Sequence, residues 1–201
     1  MAQSLNTYGV FLIPPENICQ RIQEIKKTVE FLDSNATYLN HPVHSTIFVF
    51  NSSLNAETIS EYFGQVLANF KKIDVQTSGW QIFYNDILTH KHTITIGLVG
   101  NEALSNLQCF VADSLFSLST EPISYKVDWE GQYLTSYKKW GYPFVGNHWI
   151  PHLTIASVQS ETSIQDIKNE QINIPETFVF SSIALFLIDG DQHTILHSID
   201  L

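Results

Sequence analysis

The chain has 201 residues and a formal net charge of −10, with 10 Lys and Arg against 20 Asp and Glu. Apolar residues make up 44% of it and charged residues only 15%, a composition typical of a folded globular protein and not of a disordered one. Long nucleic acids are held by many contacts between Lys or Arg and phosphates, so the composition argues against such a partner and leaves a small anionic ligand in a local pocket open.

Cysteine content and apolar runs bear on the cellular compartment. Cys19 and Cys109 are too few for a disulfide framework and lack the spacing of metal ligands. No N-terminal stretch combines a basic region, an apolar run and a small-residue cleavage site, and no apolar run reaches the length of a membrane span. We therefore expect a soluble cytoplasmic protein that does not associate with membranes.

The first part of the chain alternates strands and helices. Residues 8–13 form a predicted strand that two prolines end. A predicted helix follows and a strand comes at 44–50, after which Asn55 is placed to cap a second helix. Both helices show apolar residues at helical spacing; these are Ile18, Ile22, Ile25, Val29 and Leu32 in the first and Ile59, Phe63, Val66 and Phe70 in the second.

After residue 72 the pattern changes to β-branched and aromatic segments, which predict strands; these are 73–77, 80–84 and 92–99. Asn101 and Glu102 open a third predicted helix, and residues 122–146 resemble an aromatic loop or lid. The remaining predicted elements are a strand from His152, a short helix at 160–168, and closing strands at 178–188 and 193–199 around an Asp-Gly-Asp turn. This order indicates an α+β fold with internal duplication and no linker between independent domains.

Two predicted strands carry the same four-residue pattern, a histidine, any residue, a threonine and an apolar residue. The copies are His44-Ser45-Thr46-Ile47 and His152-Leu153-Thr154-Ile155. Side chains at i and i+2 share one face of a strand, so each histidine points the same way as its threonine. Polar groups on an apolar strand must be satisfied or used, and two copies indicate a site built from two halves.

These motifs, their separation and the order of elements over nearly the whole chain resemble the two-histidine phosphoesterase superfamily, in particular its 2′–5′ RNA ligase-like and cyclic phosphodiesterase members. The resemblance implies one bilobal α+β domain over residues 1–201, with pseudo-duplicated antiparallel sheets, flanking helices and a central active-site cleft. It implies that His44 and His152 are the catalytic acid–base pair and that Thr46 and Thr154 hold the phosphate.

Three further residues are candidate substrate contacts. Tyr8 begins the first strand, where relatives often place a ligand-contacting side chain. Tyr142 lies in an aromatic segment that either stacks a nucleobase, as aromatic side chains do, or covers the core. Ser157 stands where many relatives carry a basic residue three positions after the second threonine, and this departure leaves the substrate open. A second departure is Ser45, at a position that is often apolar.

The chemistry of the two motifs stands without a metal or cofactor, and we expect none. Two imidazoles on opposite sides of a phosphate supply a base for the attacking water and an acid for the leaving oxygen, because imidazole titrates near neutrality. Threonine hydroxyls donate to the charged oxygens. A bell-shaped pH–rate profile with apparent pKa values of the coupled site follows, and which histidine is the acid stays open.

The other histidines have less specific patterns. The pair at 90 and 92 shares a strand face as metal ligands would, but no nearby Cys, Asp or Glu completes a site, which favours a surface strand end. His41 is read as a solvated turn residue, and His148 faces either the cleft or solvent. The remaining two, on the last strand, are read as structural; they are His193 and His197.

The sequence thus predicts a metal-independent phosphodiesterase acting on a small nucleotide or short oligonucleotide. The expected substrates are 2′,3′-cyclic phosphate ends, cyclic nucleotides or short 2′–5′-linked oligonucleotides, and we expect a monomer. The alternative is a non-catalytic nucleotide-binding protein that keeps the cleft as a sensor or adaptor. Ligation, the reverse reaction, is formally open.

Overall fold

The computed structural model describes residues 5–169 and 174–201, which form eight strands and five α-helices. The strands are β1 Asn6–Ile13, β2 Ser45–Ser52, β3 Asp74–Phe83, β4 His92–Leu98, β5 His152–Val158, β6 Thr177–Val179, β7 Ser182–Asp189 and β8 Gln192–Asp200. The helices are α1 Glu16–Leu32, α2 Ala56–Leu67, α3 Glu102–Leu115, α4 Gly131–Trp140 and α5 Glu161–Asn169.

The strands form two antiparallel four-stranded sheets, with the orders β2-β1-β7-β8 and β5-β4-β3-β6. The predicted α+β class with duplicated antiparallel sheets is confirmed. The two strands that carry the histidine–threonine motifs, β2 and β5, are each at the edge of a sheet, and they contact each other. The fold therefore brings the two motifs together where the sheets meet.

The helices are exchanged between the two sheets. Helix α1 follows β1 of the first sheet but packs on β5 of the second and on α5. Helix α3 follows β4 of the second sheet but packs on β2 of the first. Helix α2 covers β7 and β8. Buried apolar residues of both sheets and these helices form one continuous core cluster.

Strand β1 is buried on both of its faces. Tyr8, Val10 and Leu12 are fully buried in the main core, while Phe11 points the other way and packs with Ala184 and Phe186 of β7 in a separate cluster. This alternation follows from the two-residue period of a strand. The Phe11 face of the first sheet is the one on which the candidate site lies.

A β-bulge interrupts the pairing of both motif strands at the same motif position. Between β1 and β2 the register shifts so that Ile47 is left without an opposing residue, and between β4 and β5 the same happens at Ile155. Each is the residue directly after the motif threonine. Bulges bend a strand and re-aim its side chains, often beside active sites. Thus Ile47 and Phe48 are both buried, whereas Thr46 and Val49 remain accessible.

The predicted helix caps are present. The side chain of Asn55 accepts a hydrogen bond from the backbone N–H of Thr58 at the start of α2, and that of Asn101 accepts one from Leu104 at the start of α3. Each cap satisfies one of the backbone donors that a helix leaves unpaired at its first turn.

Three predicted strands were wrong in their bounds. The strand predicted over 178–188 is two strands in different sheets, because the chain crosses between them at Phe180 and Ser181, whose backbone N–H groups donate to Ile73 and Ile13. Conversely, 73–77 and 80–84 belong to one strand, β3, which is bent at Gly79 with a φ of 81°.

The loop or lid predicted over 122–146 contains a helix, α4. Gly141 ends that helix in the left-handed conformation, with a φ of 68°, a conformation that glycine adopts without steric cost. A Cβ at this position would lie 3.0 Å from the Cα of Pro122, so the close approach of the chain also favours glycine. The rest of this aromatic segment is irregular.

Candidate active site

Both motifs line a single cavity of about 860 Å³, to which each contributes its histidine and its threonine. His44 and Thr46 come from the edge strand of the first sheet, and His152 and Thr154 from the edge strand of the second. The structure therefore brings together the four motif residues as a site formed by two matched halves.

Each motif histidine is held by an equivalent hydrogen bond to the backbone carbonyl two residues before it. Nδ1 of His44 lies 2.7 Å from the carbonyl oxygen of Pro42, and Nδ1 of His152 lies 2.7 Å from that of Ile150. A carbonyl oxygen only accepts, so Nδ1 carries the proton and donates in both rings. In a neutral imidazole Nε2 then holds the free lone pair, which fixes the tautomer. Both rings thus keep Nε2 for proton transfer.

Aromatic rings pack against both imidazoles. The ring of Phe11 stacks on His44 with centroids 3.8 Å apart and an interplanar angle of 15°. The ring of Phe83 meets His152 edge-on, with centroids 5.1 Å apart and an angle of 64°. Because an imidazole held by a hydrogen bond and a ring contact has little rotational freedom, both histidines are pre-oriented before any ligand binds.

A direct hydrogen bond joins the two halves of the site. The indole Nε1 of Trp149, three residues before His152, donates to the backbone carbonyl of Thr46 over 3.1 Å. That carbonyl lies on an edge strand, and the bond gives it a partner from the opposite half. The position of the second motif is thereby tied to that of the first.

Burial makes the site unfavourable for positive charge. It lowers the pKa of His44 to about 3, an effect that His193, Lys26 and His41 increase and the hydrogen bond to Pro42 opposes. Burial also lowers the pKa of His152, opposed by its hydrogen bond to Ile150 and by the negative charge of Asp86. Both imidazoles of the free protein are therefore neutral at neutral pH.

Two histidines that sequence patterns did not assign to the site also line the cavity. The interpretation of His193 as structural and of His41 as a solvated turn residue was wrong: both are half-buried on the wall beside His44. The ring of His193 lies 6.0 Å from that of His44 and 4.4 Å from that of His41, and Nε2 of His41 lies 3.4 Å from Oδ1 of Asp191.

No local pattern reveals this cluster, since β8 is separated from β2 by two strands of the sheet. His90 is exposed, in agreement with the predicted surface strand end, but His92 is buried, so that prediction was wrong for His92. His148 takes the cleft-facing option and lines the cavity, His197 packs on Phe63, and Nδ1 of His92 accepts the backbone N–H of Asn85.

Two residues predicted to contact substrate, Tyr8 and Ser157, do not line the cavity. Tyr8 is fully buried, and its hydroxyl donates to the carbonyl of Leu54, because its side chain points to the core face of β1. Ser157 is also fully buried, and its hydroxyl is 2.6 Å from that of Thr93. Thr93 itself lines the cavity, so Ser157 lies directly behind the cavity wall.

Tyr142 lines the cavity but is only 6% exposed. Its ring meets those of Phe48 and Phe144 edge-on, at 5.8 and 5.5 Å, so it also covers the core. Its contact with a nucleobase stays a prediction. Other rings from the segment between α3 and β5 line the same side; they are Tyr125, Trp129, Tyr133, Phe144 and Trp149.

Within residues 5–169 and 174–201, no three His, Cys, Asp or Glu side chains are grouped so as to hold a metal ion. In the same part of the chain, none of the helices has the length and apolar character needed to cross a bilayer.

Known proteins resemble the chain in sequence pattern and in fold. The family model described as the 2′-5′ RNA ligase superfamily matches residues 14–192. Among solved structures, TT0787 of Thermus thermophilus has a TM-score of 0.61 and 14% identity over 97% of both chains. LigT of E. coli has a TM-score of 0.59 and 11% identity over 98% of this chain and 99% of that one. At these identities the structures show a shared fold. No curated protein sequence matches.

Proposed function

The chain belongs to the 2′-5′ RNA ligase superfamily of two-histidine phosphoesterases, and from that premise we propose that it is a phosphodiesterase that hydrolyses a small nucleotide phosphodiester without a metal. His44 and His152 act as the acid–base pair. Thr46 and Thr154 donate hydrogen bonds to the non-bridging phosphate oxygens.

The observation that carries this proposal is the match between the two halves of the site. Each histidine lines the same cavity, donates from Nδ1 to the carbonyl two residues earlier, and precedes a threonine on a bulged edge strand. One such histidine is common in a folded protein. A matched pair in one cavity is what an acid and a base on opposite sides of a phosphate require.

The reaction is a substitution at phosphorus. Nε2 of one neutral imidazole takes a proton from water while the water oxygen bonds to phosphorus. The bond from phosphorus to the leaving oxygen breaks, and that oxygen receives the proton from Nε2–H of the second, protonated imidazole. The threonine hydroxyls stabilise the charge on the non-bridging oxygens. The site then holds a phosphate monoester and an alcohol, with one proton moved from the acid to the base.

The size of the cavity favours a small substrate. We expect 2′,3′-cyclic phosphates, cyclic nucleotides or short 2′–5′-linked oligonucleotides, for which about 860 Å³ is ample. Crystal structures of LigT, which shares the fold, are complexes with 3′-AMP, NADP⁺ and ATP. An overall charge of −10 opposes a long RNA, and the protein acts as a cytoplasmic monomer in this proposal.

The test is hydrolysis of a substrate panel in the presence of EDTA. The panel contains 2′,3′-cyclic mononucleotides, 3′,5′-cyclic nucleotides, and 2′–5′ and 3′–5′ dinucleotides. His44→Asn and His152→Asn each remove the titratable ring but keep an N–H donor for the carbonyl, and each is expected to lower kcat by about 10²–10⁴. His90→Asn is the matched control, since His90 is exposed and has a positive φ, which asparagine tolerates.

Full activity in both motif variants would disprove the mechanism. Nucleotide binding without turnover of any panel member would instead favour a sensor or adaptor.

A further inference from the structure

The cavity wall is notable for its charge. Among the residues that the structure describes, neither lysine nor arginine lines it, whereas three carboxylates do: Asp86, Asp128 and Glu130. Asp86 is held in place, since its Oδ2 accepts from the hydroxyl of Thr93 at 2.5 Å and its Oδ1 from the N–H of Leu88 at 2.9 Å. A site that receives a phosphate thus has no fixed cation on its wall.

The imidazoles do not replace the missing cations. Burial lowers the pKa of four histidines that line the cavity, so they are neutral in the free protein at neutral pH. They are the motif residues His44 and His152 and the neighbouring His41 and His193. Only the catalytic acid must be protonated for turnover, and one imidazolium balances one negative charge.

Lys26 is buried near the cavity, but its ammonium group donates to backbone carbonyls and does not face the cavity. Lys26 is 5% exposed and does not line the cavity. Its Nζ donates to the carbonyls of Tyr38 and His41, at 2.8 and 2.9 Å, behind the wall that these two residues form. It therefore shapes the wall and offers no direct contact to a substrate phosphate.

The aromatic side of the cavity provides contacts suited to an uncharged ring. Nε1 of Trp129 is buried and has no hydrogen-bond partner within the described part of the chain. Its ring lies 5.4 Å from that of Tyr125 and 5.5 Å from that of Phe144, both edge-on, and Asp128 and Glu130 are its neighbours in sequence. Two carboxylate acceptors and several ring faces match the N–H donors and the faces of a nucleobase.

We propose, building on the phosphodiesterase function above, that the substrate carries a single negative charge, that of the phosphodiester itself, with its nucleobase against the Trp129 wall, and that the cavity rejects substrates bearing an additional phosphate. A terminal phosphate monoester adds about −1.5 to −2 charges near neutral pH. It would meet three carboxylates and no cation, and juxtaposed like charges suppress binding. The substrate class is thus a cyclic mononucleotide or dinucleoside monophosphate without terminal phosphates.

The experiment compares substrates in pairs that differ only by a phosphate. One pair is 2′,3′-cyclic AMP and the same compound with a 5′-phosphate, and the other is 2′–5′-linked ApA with and without a 5′-phosphate. At low ionic strength kcat/KM should be at least about tenfold lower for the phosphorylated member of each pair. The ratio should shrink as salt is added, because exposed charges are screened.

Variants locate the effect in the cavity. Asp128→Asn combined with Glu130→Gln should reduce the discrimination within each pair. The control combines Glu161→Gln with Asp166→Asn, which removes the same charge from exposed positions on α5 away from the cavity and should leave the ratio unchanged. Trp129→Phe replaces the indole with a smaller ring face, so it should lower kcat/KM by the same factor for both members of a pair.

Binding separates this inference from the phosphodiesterase proposal. The His44→Asn/His152→Asn double variant is titrated calorimetrically with both members of each pair. Equal or tighter binding of the phosphorylated member, or no binding of either, would overturn the single-charge inference. If wild type hydrolyses neither member but still binds the unphosphorylated one more tightly, the phosphodiesterase proposal fails and the charge selectivity stands.

Discussion

The two motif histidines share one hydrogen-bonding arrangement but have different electrostatic surroundings. His44 lies near Lys26 and two further imidazoles, all of which oppose its protonation. His152 lies near Asp86, whose carboxylate favours protonation. The group that is more easily protonated is suited to be the acid, and the other to be the base. We therefore propose that His44 is the base and His152 the acid.

The leaving group of the substrate tests this assignment. A nitrophenyl ester of a nucleotide leaves without needing a proton, so a missing acid matters little for it. We expect His152→Asn to hydrolyse this ester at a rate within about tenfold of wild type, while remaining impaired by about 10²–10⁴ on an alcohol leaving group. His44→Asn should be impaired on both substrates. Rescue of His44→Asn alone would reverse the two roles.

A second test at the same scale is the pH dependence of kcat/KM, which reports the free enzyme. Activity requires a neutral base and a protonated acid, and burial lowers the pKa of both histidines below the ordinary value of about 6.5. The protonated fraction of the acid therefore falls before neutrality is reached. We expect a bell-shaped profile with its maximum below about pH 6.5 and a decline through neutrality.

The profile of kcat should differ from that of kcat/KM. A bound phosphodiester anion favours the protonated imidazole, so the declining limb of kcat should lie at higher pH. Steady-state kinetics between acidic and mildly alkaline pH give both profiles. A maximum of kcat/KM on the alkaline side would contradict the burial that the structure shows around these rings.

The four motif residues could be predicted from sequence, but their neighbours could not. A two-residue spacing on a strand already places a histidine and a threonine on one face. By contrast, His193 approaches His44 only because of how β7 and β8 lie in the folded sheet. Tyr8 was wrongly predicted to contact substrate, because its place at the start of a strand does not determine which face of the sheet its side chain occupies.

At the scale of elements, Lys26 connects helix α1 to the cavity wall. It reaches from α1 to the carbonyls of Tyr38 and His41, in the segment that precedes the first motif. Burial lowers its pKa to about 8, which leaves it charged at neutral pH. Its contribution is to hold the backbone of that segment, and so the wall beside His44, in one conformation.

Lys26→Met should therefore reduce the free energy of unfolding more than the same substitution at the neighbouring Lys27. It removes both hydrogen bonds of Nζ and leaves the carbonyls of Tyr38 and His41 without that donor, which costs about 1–3 kcal/mol when such groups are buried. Lys27→Met is the matched control, since Lys27 is exposed on the same helix, and it should change the free energy of unfolding by less than about 0.5 kcal/mol. Urea unfolding measures both. Equal changes in the two variants would mean that the hydrogen bonds of Lys26 do not contribute to the free energy of unfolding.

Two element predictions failed, one of them at a change of sheet within a largely apolar segment. In the segment 178–188 two serines, Ser181 and Ser182, interrupt the apolar residues where the chain changes sheet. Ser182 is itself buried at the start of β7, so this short break did not separate β6 from β7 in the prediction. In α4 the aromatic residues and the flanking glycines hid the helical spacing. Both errors arise because the pattern of burial reports which side chains are covered, and not which element covers them.

The whole molecule shows the same limit in the placement of its helices. The sequence order indicated a duplicated strand–helix pattern, and the sheets confirm it. The exchange of α1 and α3 between the sheets could not be predicted from the sequence, because the apolar stripe of a helix can pack on either sheet. The exchange has a physical consequence, since the motif strand at the edge of each sheet packs on a helix that follows a strand of the other sheet.

We therefore expect the two sheets to unfold in one cooperative transition. Ile22 is fully buried on α1, which follows the first sheet in the chain but packs on the second, and Ile22→Ala should cost about 2–5 kcal/mol. The ring signals of His44 and His152 in NMR spectra report the two sheets separately. If the shared core couples the sheets, both signals must lose their native positions at the same, lowered urea concentration in this variant. If instead the His152 signal alone shifts to a lower midpoint, the halves unfold independently, and the continuous core between them does not control stability.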